Sequence, residues 1–163
     1  MHRLRTGVPT LDHLDWKLLT ALHRNGRLTN KELGDTIGLS PSQCSRRRLM
    51  LEKAGIIRGY GALLDPQAMG LNVVAFVQVI IKDHTAGSFE RFQALIGNIP
   101  MVQEAYAVSG DADYILKIVT KDLPSLSAFV TDRLLANDTI GHVKSHIALR
   151  PLKTNGPLPP FQP

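Results

Sequence analysis

From Thr29 to Gly55 the chain reads TNKELGDTIGLSPSQCSRRRLMLEKAG, two helix starts divided by a glycine turn. Thr29 and Glu32 have the spacing of a capping box, in which each side chain satisfies a backbone N–H at the helix start. Ser40, Pro41 and Gln43 repeat the device, with a serine cap, proline at the first helical position and glutamine three residues after the cap. Gly38 falls between them, where a tight turn suits a residue without a β-carbon. Arg46, Arg47, Arg48 and Lys53 all lie on the second helix. This is a helix-turn-helix whose second helix carries the positive charge, and it points to DNA.

The distribution of charge agrees. Residues 1–65 hold 11 Lys/Arg against 6 Asp/Glu, whereas residues 66–163 hold 8 against 8. The whole excess therefore accompanies the helix-turn-helix, and the expected partner of that half is polyanionic, double-stranded DNA. A chain of 163 residues that is 44% hydrophobic can bury a real core in one or two domains. No apolar run approaches the ~20 residues needed to span a bilayer, and Met1 to Thr10 lacks the apolar stretch of a signal peptide. A single cysteine forms no internal disulfide. The expectation is a soluble, cytoplasmic protein with no membrane partner.

A first helix is expected from Asp12, with Asp15 three residues on and Leu14, Leu18, Leu19 and Leu22 as its apolar stripe. The second runs from about Asn30 to Ile37, the third from about Pro41 to Ala54. Projection of the third at ~100° per residue turns Cys44 and Leu51 toward the core. It turns Ser42, Gln43, Arg46, Leu49, Met50 and Lys53 broadly outward. Arg47 lies on the border, placed for a phosphate. Arg48 falls on the core side and must snorkel or find an acidic partner, because an unpaired buried guanidinium is very costly. The candidate DNA-binding residues are thus Ser40, Ser42, Gln43, Arg46, Arg47 and Lys53, with Arg46 the best placed for base edges.

Ile56 to Leu64 reads as a strand leaving the head, followed by a turn at Asp65-Pro66. From Asn72 the periodicity predicts strand, helix, strand, strand, helix, strand. The strands are Val73–Ile81, Val102–Val108, Tyr114–Val119 and Val143–Leu149; Phe89, Phe92, Leu95 and Ile96 mark one helix, Leu123, Leu126, Phe129, Val130 and Leu134 the other. The order βαββαβ is that of the ferredoxin-like split motif, an antiparallel sheet with both helices on one face. The fold class is therefore α+β, a winged-type helix-turn-helix head joined by a strand linker to a ferredoxin-like domain. The boundaries are 1–55 for the head, 56–70 for the linker, 71–153 for the βαββαβ domain and 154–163 for a Pro-rich tail.

Together these blocks resemble the Lrp/AsnC family of transcriptional regulators. The resemblance covers about residues 11–153 and rests on LDHLD at 11–15, GRLTNKEL at 26–33, LSPSQCSRR at 39–47, LEKAGIIRGYGALLDP at 51–66 and SGDADYILK at 109–117. Arg48 departs from the apolar residue expected there, and Leu49 and Met50 stand where basic residues are common. The resemblance implies a homodimer built by the βαββαβ module, dimers assembled into larger rings (an octamer), and a small amino-acid effector bound between dimers. It implies no other cofactor.

Carried onto this chain, the effector motif is Gly110-Asp111-Ala112-Asp113-Tyr114. Ser109 to Ala112 reads as a hairpin turn with Gly110-Asp111 at its centre, which gives Asp111 a structural explanation. Asp113 falls just inside the next strand, where propensity gives a carboxylate no reason to be. It is suited to accept hydrogen bonds from a ligand ammonium while turn N–H groups face a ligand carboxylate. The alternative is that Asp113 pins the turn or pairs with a nearby lysine. Tyr106 and Tyr114 complete the candidate effector residues Tyr106, Ser109, Gly110, Asp111, Asp113 and Tyr114, or else pack in a core or subunit contact. His142 and His146 read as solvated histidines rather than metal ligands. No catalytic constellation is present. The competing reading is an effector-independent architectural DNA-binding protein.

Overall fold

The structure, a computed structural model, describes residues 10–154 and residue 156. The chain divides into two compact units, one reaching Leu63 and the other spanning Leu64–Leu152. The Pro-rich tail falls almost wholly outside the described residues.

The first unit holds α1 (His13–Arg24), α2 (Asn30–Ile37) and α3 (Pro41–Lys53). Each begins at a complete capping box: Asp12 with Asp15, Thr29 with Glu32, and Ser40 with Gln43. These reciprocal bonds satisfy N–H groups that a helix start leaves orphaned. Gly38 ends α2 in the left-handed conformation, at φ 78°, which a β-carbon would disfavour. The three helices meet over Leu18, Leu22, Leu33, Ile37, Cys44 and Leu51. Gly34 has a separate reason to be glycine, because a β-carbon there would stand 2.4 Å from the Leu39 carbonyl oxygen.

Residues 56–64 do not form the expected strand. A strand exists only with a hydrogen-bonding neighbour, and among the described residues this segment finds none. The turn after Asp65 does form, with Met69 and Leu71 N–H groups donating to Pro66.

The second unit contains β1 (Val73–Ile81), α4 (Ser88–Ile96), β2 (Val102–Ala107), β3 (Tyr114–Thr120), α5 (Leu123–Phe129) and β4 (Ile140–Ile147). The helix of α5 continues through Val130–Leu135 as a wider π-type turn, which seats Leu134 fully in the core. All strand pairs are antiparallel in the order β2-β3-β1-β4, the ferredoxin-like arrangement. The last strand starts earlier than expected. Ile140 is buried against the core, so packing rather than the apolar run Val143–Leu149 sets the boundary.

The pleat of β1 separates two apolar sets. Ala75, Val77 and Val79 are fully buried with Phe92, Ile96, Leu116, Ile118, Phe129 and Leu134. On the opposite face Phe76 is 44% exposed, flanked in register by Lys117 and His146, with Gln78 beside Ile115 and Lys144.

Candidate nucleic-acid and effector sites

On α3 the three consecutive arginines have three different fates. Arg46 is exposed and has no partner among the described residues. Arg47 is drawn back onto α1, its two terminal nitrogens lying 2.9 Å from Asp12 Oδ2 and 2.6 Å from Asp15 Oδ1. Asp15 is only 3% exposed, so this guanidinium neutralises a buried carboxylate. The bond from the Asp15 amide, with help from Arg47, holds the Asp12 carboxyl below its ordinary range. Arg47, expected on the border of the outward face, is thus already paired in this structure, and its charge closes the head. Arg48 finds the acidic partner its core-side position requires, Glu52 at 3.3 Å.

The outward face of α3 keeps Ser42, Gln43, Arg46 and Lys53 exposed, as expected, together with Leu49 and Met50. Ser40 and Gln43 are already occupied by their capping box: Gln43 Oε1 accepts from the Ser40 amide at 3.0 Å and from its hydroxyl at 2.9 Å. What remains of Gln43 for a base edge is its amide nitrogen.

In the sheet domain, the Val108 amide donates to the Asp113 carbonyl at 3.0 Å, closing the loop Ser109–Ala112. Gly110 takes φ 115° at its centre, which favours glycine. Asp113 sits one residue ahead of β3, not inside it. Its amide donates to the Val79 carbonyl, and its Oδ2 accepts from the Ile81 amide at 2.8 Å. Its Oδ1 lies 3.4 Å from His84 Nε2. The carboxylate therefore pins the turn to the end of β1, with no lysine involved. A quarter of its side chain stays exposed.

A groove of about 290 Å³ runs between α4 and the edge strand β2, lined by Phe89, Phe92, Ile96, Val102, Tyr106 and Tyr114 among others. Phe92 stacks on Tyr114 with ring centroids 4.1 Å apart. Tyr106 and Tyr114 belong to opposite faces by register, since Tyr106 pairs with Ile115 and Tyr114 with Ala107. Both reach the groove because it follows the unpaired edge of β2. Beside it, Tyr106 donates to Glu104 Oε2 and Lys117 to Glu104 Oε1, both at 2.6 Å. The lysine bond chiefly lowers the Glu104 pKa, and the carboxylate raises that of Tyr106. The groove gathers the two tyrosines; Ser109, Gly110, Asp111 and Asp113 are not among its walls. Phe89 and Phe92 were legible only as a helical core stripe, and His84 carried no sequence signal.

Two family models match the chain: the Lrp/AsnC ligand binding domain over residues 74–158 and a winged helix-turn-helix DNA-binding domain over residues 11–58. The leucine-responsive regulatory protein of Rhizobium meliloti is 39% identical over 143 residues, 88% of this chain and 92% of that protein. The chain belongs to the Lrp/AsnC family. It is thus a DNA-binding transcriptional regulator with a ligand-binding domain, and not an enzyme. Among solved structures, a transcriptional regulator from Neisseria meningitidis in complex with L-Met superposes with a TM-score of 0.87 at 40% identity, covering 92% of this chain and 97% of that one. A second, an AsnC family regulator from Agrobacterium tumefaciens, gives 0.85 at 35% identity, covering 91% and 97%.

Within this Lrp/AsnC chain no described helix is long and apolar enough to cross a membrane. No described group of three or more His, Cys, Asp or Glu could hold a metal ion. His142 and His146 are exposed on β4.

Proposed function

We propose that this regulator reads DNA through the exposed face of α3 in a symmetric oligomer, and that an amino acid bound beside the Ser109–Tyr114 segment modulates it. The observation that carries the DNA half is the fate of the arginines: Arg47 and Arg48 are engaged inside the head, which leaves Arg46 to meet a base edge. Ser42 and the Gln43 amide stand beside it, Ser40 sits at the helix start, and Lys53 is suited to a phosphate. A homodimer presents two such helices to half-sites about one helical turn apart or a multiple of it.

For the effector, turn N–H groups around Ser109, Gly110 and Asp111 suit a carboxylate, and the partly exposed Asp113 carboxylate suits an ammonium. Tyr106 and Tyr114 offer aromatic walls for the side chain. The L-Met complex of the Neisseria meningitidis relative supports an amino acid as the ligand class. A dimer, and by family resemblance an octamer, would cover the half-exposed face around Phe76. Binding between dimers then shifts assembly through differential affinity for the two states.

Arg46→Ala tests the docking. Selected DNA should bind about tenfold or more weakly, the loss of a good bidentate base contact, while random DNA changes far less. Unchanged affinity and sequence preference, read by fluorescence anisotropy, would overturn the model. An architectural protein without effector would instead show no ligand-induced shift in melting temperature with any of the twenty amino acids.

A further inference from the structure

Arg48 gathers more partners than neutralisation requires. Its Nε donates to the Tyr60 hydroxyl at 2.8 Å and to Glu52 Oε1 at 3.3 Å, and its Nη1 reaches the Leu28 carbonyl at 3.3 Å. The guanidinium carbon lies 4.4 Å from the centroid of the Tyr60 ring. The Tyr60 hydroxyl donates onward to the same Glu52 oxygen at 2.8 Å, and burial, then this carboxylate, raises the Tyr60 pKa. One side chain thus ties the loop before α2, the last turns of α3 and the chain that follows.

Backbone hydrogen bonding does not do that work. After α3, the Ile56 and Ile57 amides donate to the Leu51 carbonyl, and the next bonded backbone group among the described residues is the Asp65 carbonyl. In between, Leu63 is 82% exposed. Tyr60 is the one residue of 58–64 held to the head by a side-chain hydrogen bond in the described structure.

We propose that Arg48 is a positioning residue. With Glu52 and Tyr60 it forms a latch that makes residues 56–60 part of the rigid DNA-reading head, so the pivot of the chain begins at Gly61 rather than at the end of α3. Every residue of slack removed before the pivot narrows the directions in which two heads of an oligomer can present their recognition helices. This consequence rests on the two-head reading above; the latch itself does not.

Both parts are tested on the full-length protein. Trypsin cleavage after Arg58, quantified by mass spectrometry, should be about fivefold faster in Arg48→Leu, because proteolysis follows the population of the opened segment. Tyr60→Phe, which keeps the ring but not the hydroxyl, should fall between wild type and Arg48→Leu. Arg48→Lys should restore only part of the protection, since a single ammonium nitrogen cannot reach both the Tyr60–Glu52 side and the Leu28 carbonyl that Arg48 meets with separate Nε and Nη1 donors. Wild-type rates in both Arg48→Leu and Tyr60→Phe would overturn the latch. Binding is then scanned on DNA whose half-site spacing changes one base pair at a time. Wild type should show periodic optima near multiples of one turn, ~10 base pairs, and Arg48→Leu a flattened profile. Faster cleavage with an equally sharp profile would overturn the positioning role. A wild type without any spacing preference would overturn the two-head reading instead, and the cleavage rates would still decide the latch.

Discussion

In the head, the two inward-turned arginines of α3 are paired inside one chain. Arg47 closes onto Asp12 and Asp15, 35 and 32 residues away, and Arg48 joins α3 to the segment after it. The sheet domain differs: its helix-covered face holds the core, while its other face leaves Phe76 and Tyr106 about half exposed and, among the described residues, the outer edge of β2 unpaired. The head therefore presents the exposed face of α3, with Arg46, Ser42 and Gln43, in a single copy. Under the assembly proposed above, a second copy would cover the open apolar face of the ligand-binding domain, so occupancy and assembly would be linked there and not in the head.

The widest separation of the two units should come from Phe76→Glu. Burying the remaining half of Phe76 across a two-fold would contribute ~1.5–3 kcal/mol over two symmetric copies, about half the value of full burial each, and a carboxylate in its place adds a desolvation cost. Light scattering should show the variant dissociating at micromolar concentrations where wild type is at least dimeric. An unchanged mass would move the interface off this face.

Arg47→Ala should act in the other unit. Removing it strands a nearly buried Asp15 carboxylate, at a cost of about 2–3 kcal/mol, or a fall in Tm on the order of 10 °C for a domain this small. Trp16 is the sole tryptophan and lies on α1, so its fluorescence reports the head selectively. At a temperature where the variant stays folded, the salt slope of DNA binding should match wild type. A slope reduced by about one would restore Arg47 as a phosphate contact.

What the sequence disclosed follows the range of each interaction. All three helix starts rest on pairs three residues apart, so Thr29 and Ser40 were readable as caps from local spacing and Asp12 as a helix start. The projection of α3 correctly placed Arg48 against the core, because a helix face is also local. The Arg47 clamp was invisible: Asp12 and Asp15 read as dipole-favouring residues, and nothing marks a pairing across two helices. The strand at 56–64 failed for the converse reason, since β-propensity is local but a strand requires a partner. The groove was equally hidden, being assembled from α4 and β2, and Ile140 joined β4 through packing that no apolar run announces.

Asp113 tests the effector half, with the structure sharpening the choice of variant. Asp113→Ala removes both the charge and the acceptor for the Ile81 amide, whereas Asp113→Asn retains the acceptor. Calorimetric titration with the amino acid found by thermal-shift screening should show about tenfold or greater loss in both, the value of one charge-assisted hydrogen bond. Asp111→Asn, which suits the turn equally well, should bind nearly as wild type. Full affinity in Asp113→Asn would reduce Asp113 to a pin for the turn.

Acid offers the smallest contrast and the most direct comparison of the units. In the head, the Asp12 carboxyl is lowered from 3.8, first by the Asp15 amide and then by Arg47 against the opposing effect of burial. In the sheet domain, Glu104 is lowered from 4.5, first by Lys117 and then by Tyr106. A carboxylate with a depressed folded pKa stabilises fully above its unfolded value, and that contribution is lost as pH falls through the folded value. Both units should therefore weaken on acidification, the sheet domain's share beginning near pH 4.5 and the head's nearer pH 3.8. Asp12 is half exposed, so its share stays within about 1 kcal/mol after screening by solvent. Trp16 fluorescence should show Asp12→Asn less stable than wild type at pH 7, with the gap closing below pH 4. A gap that stays constant with pH would assign the Asp12 effect to lost capping geometry rather than charge.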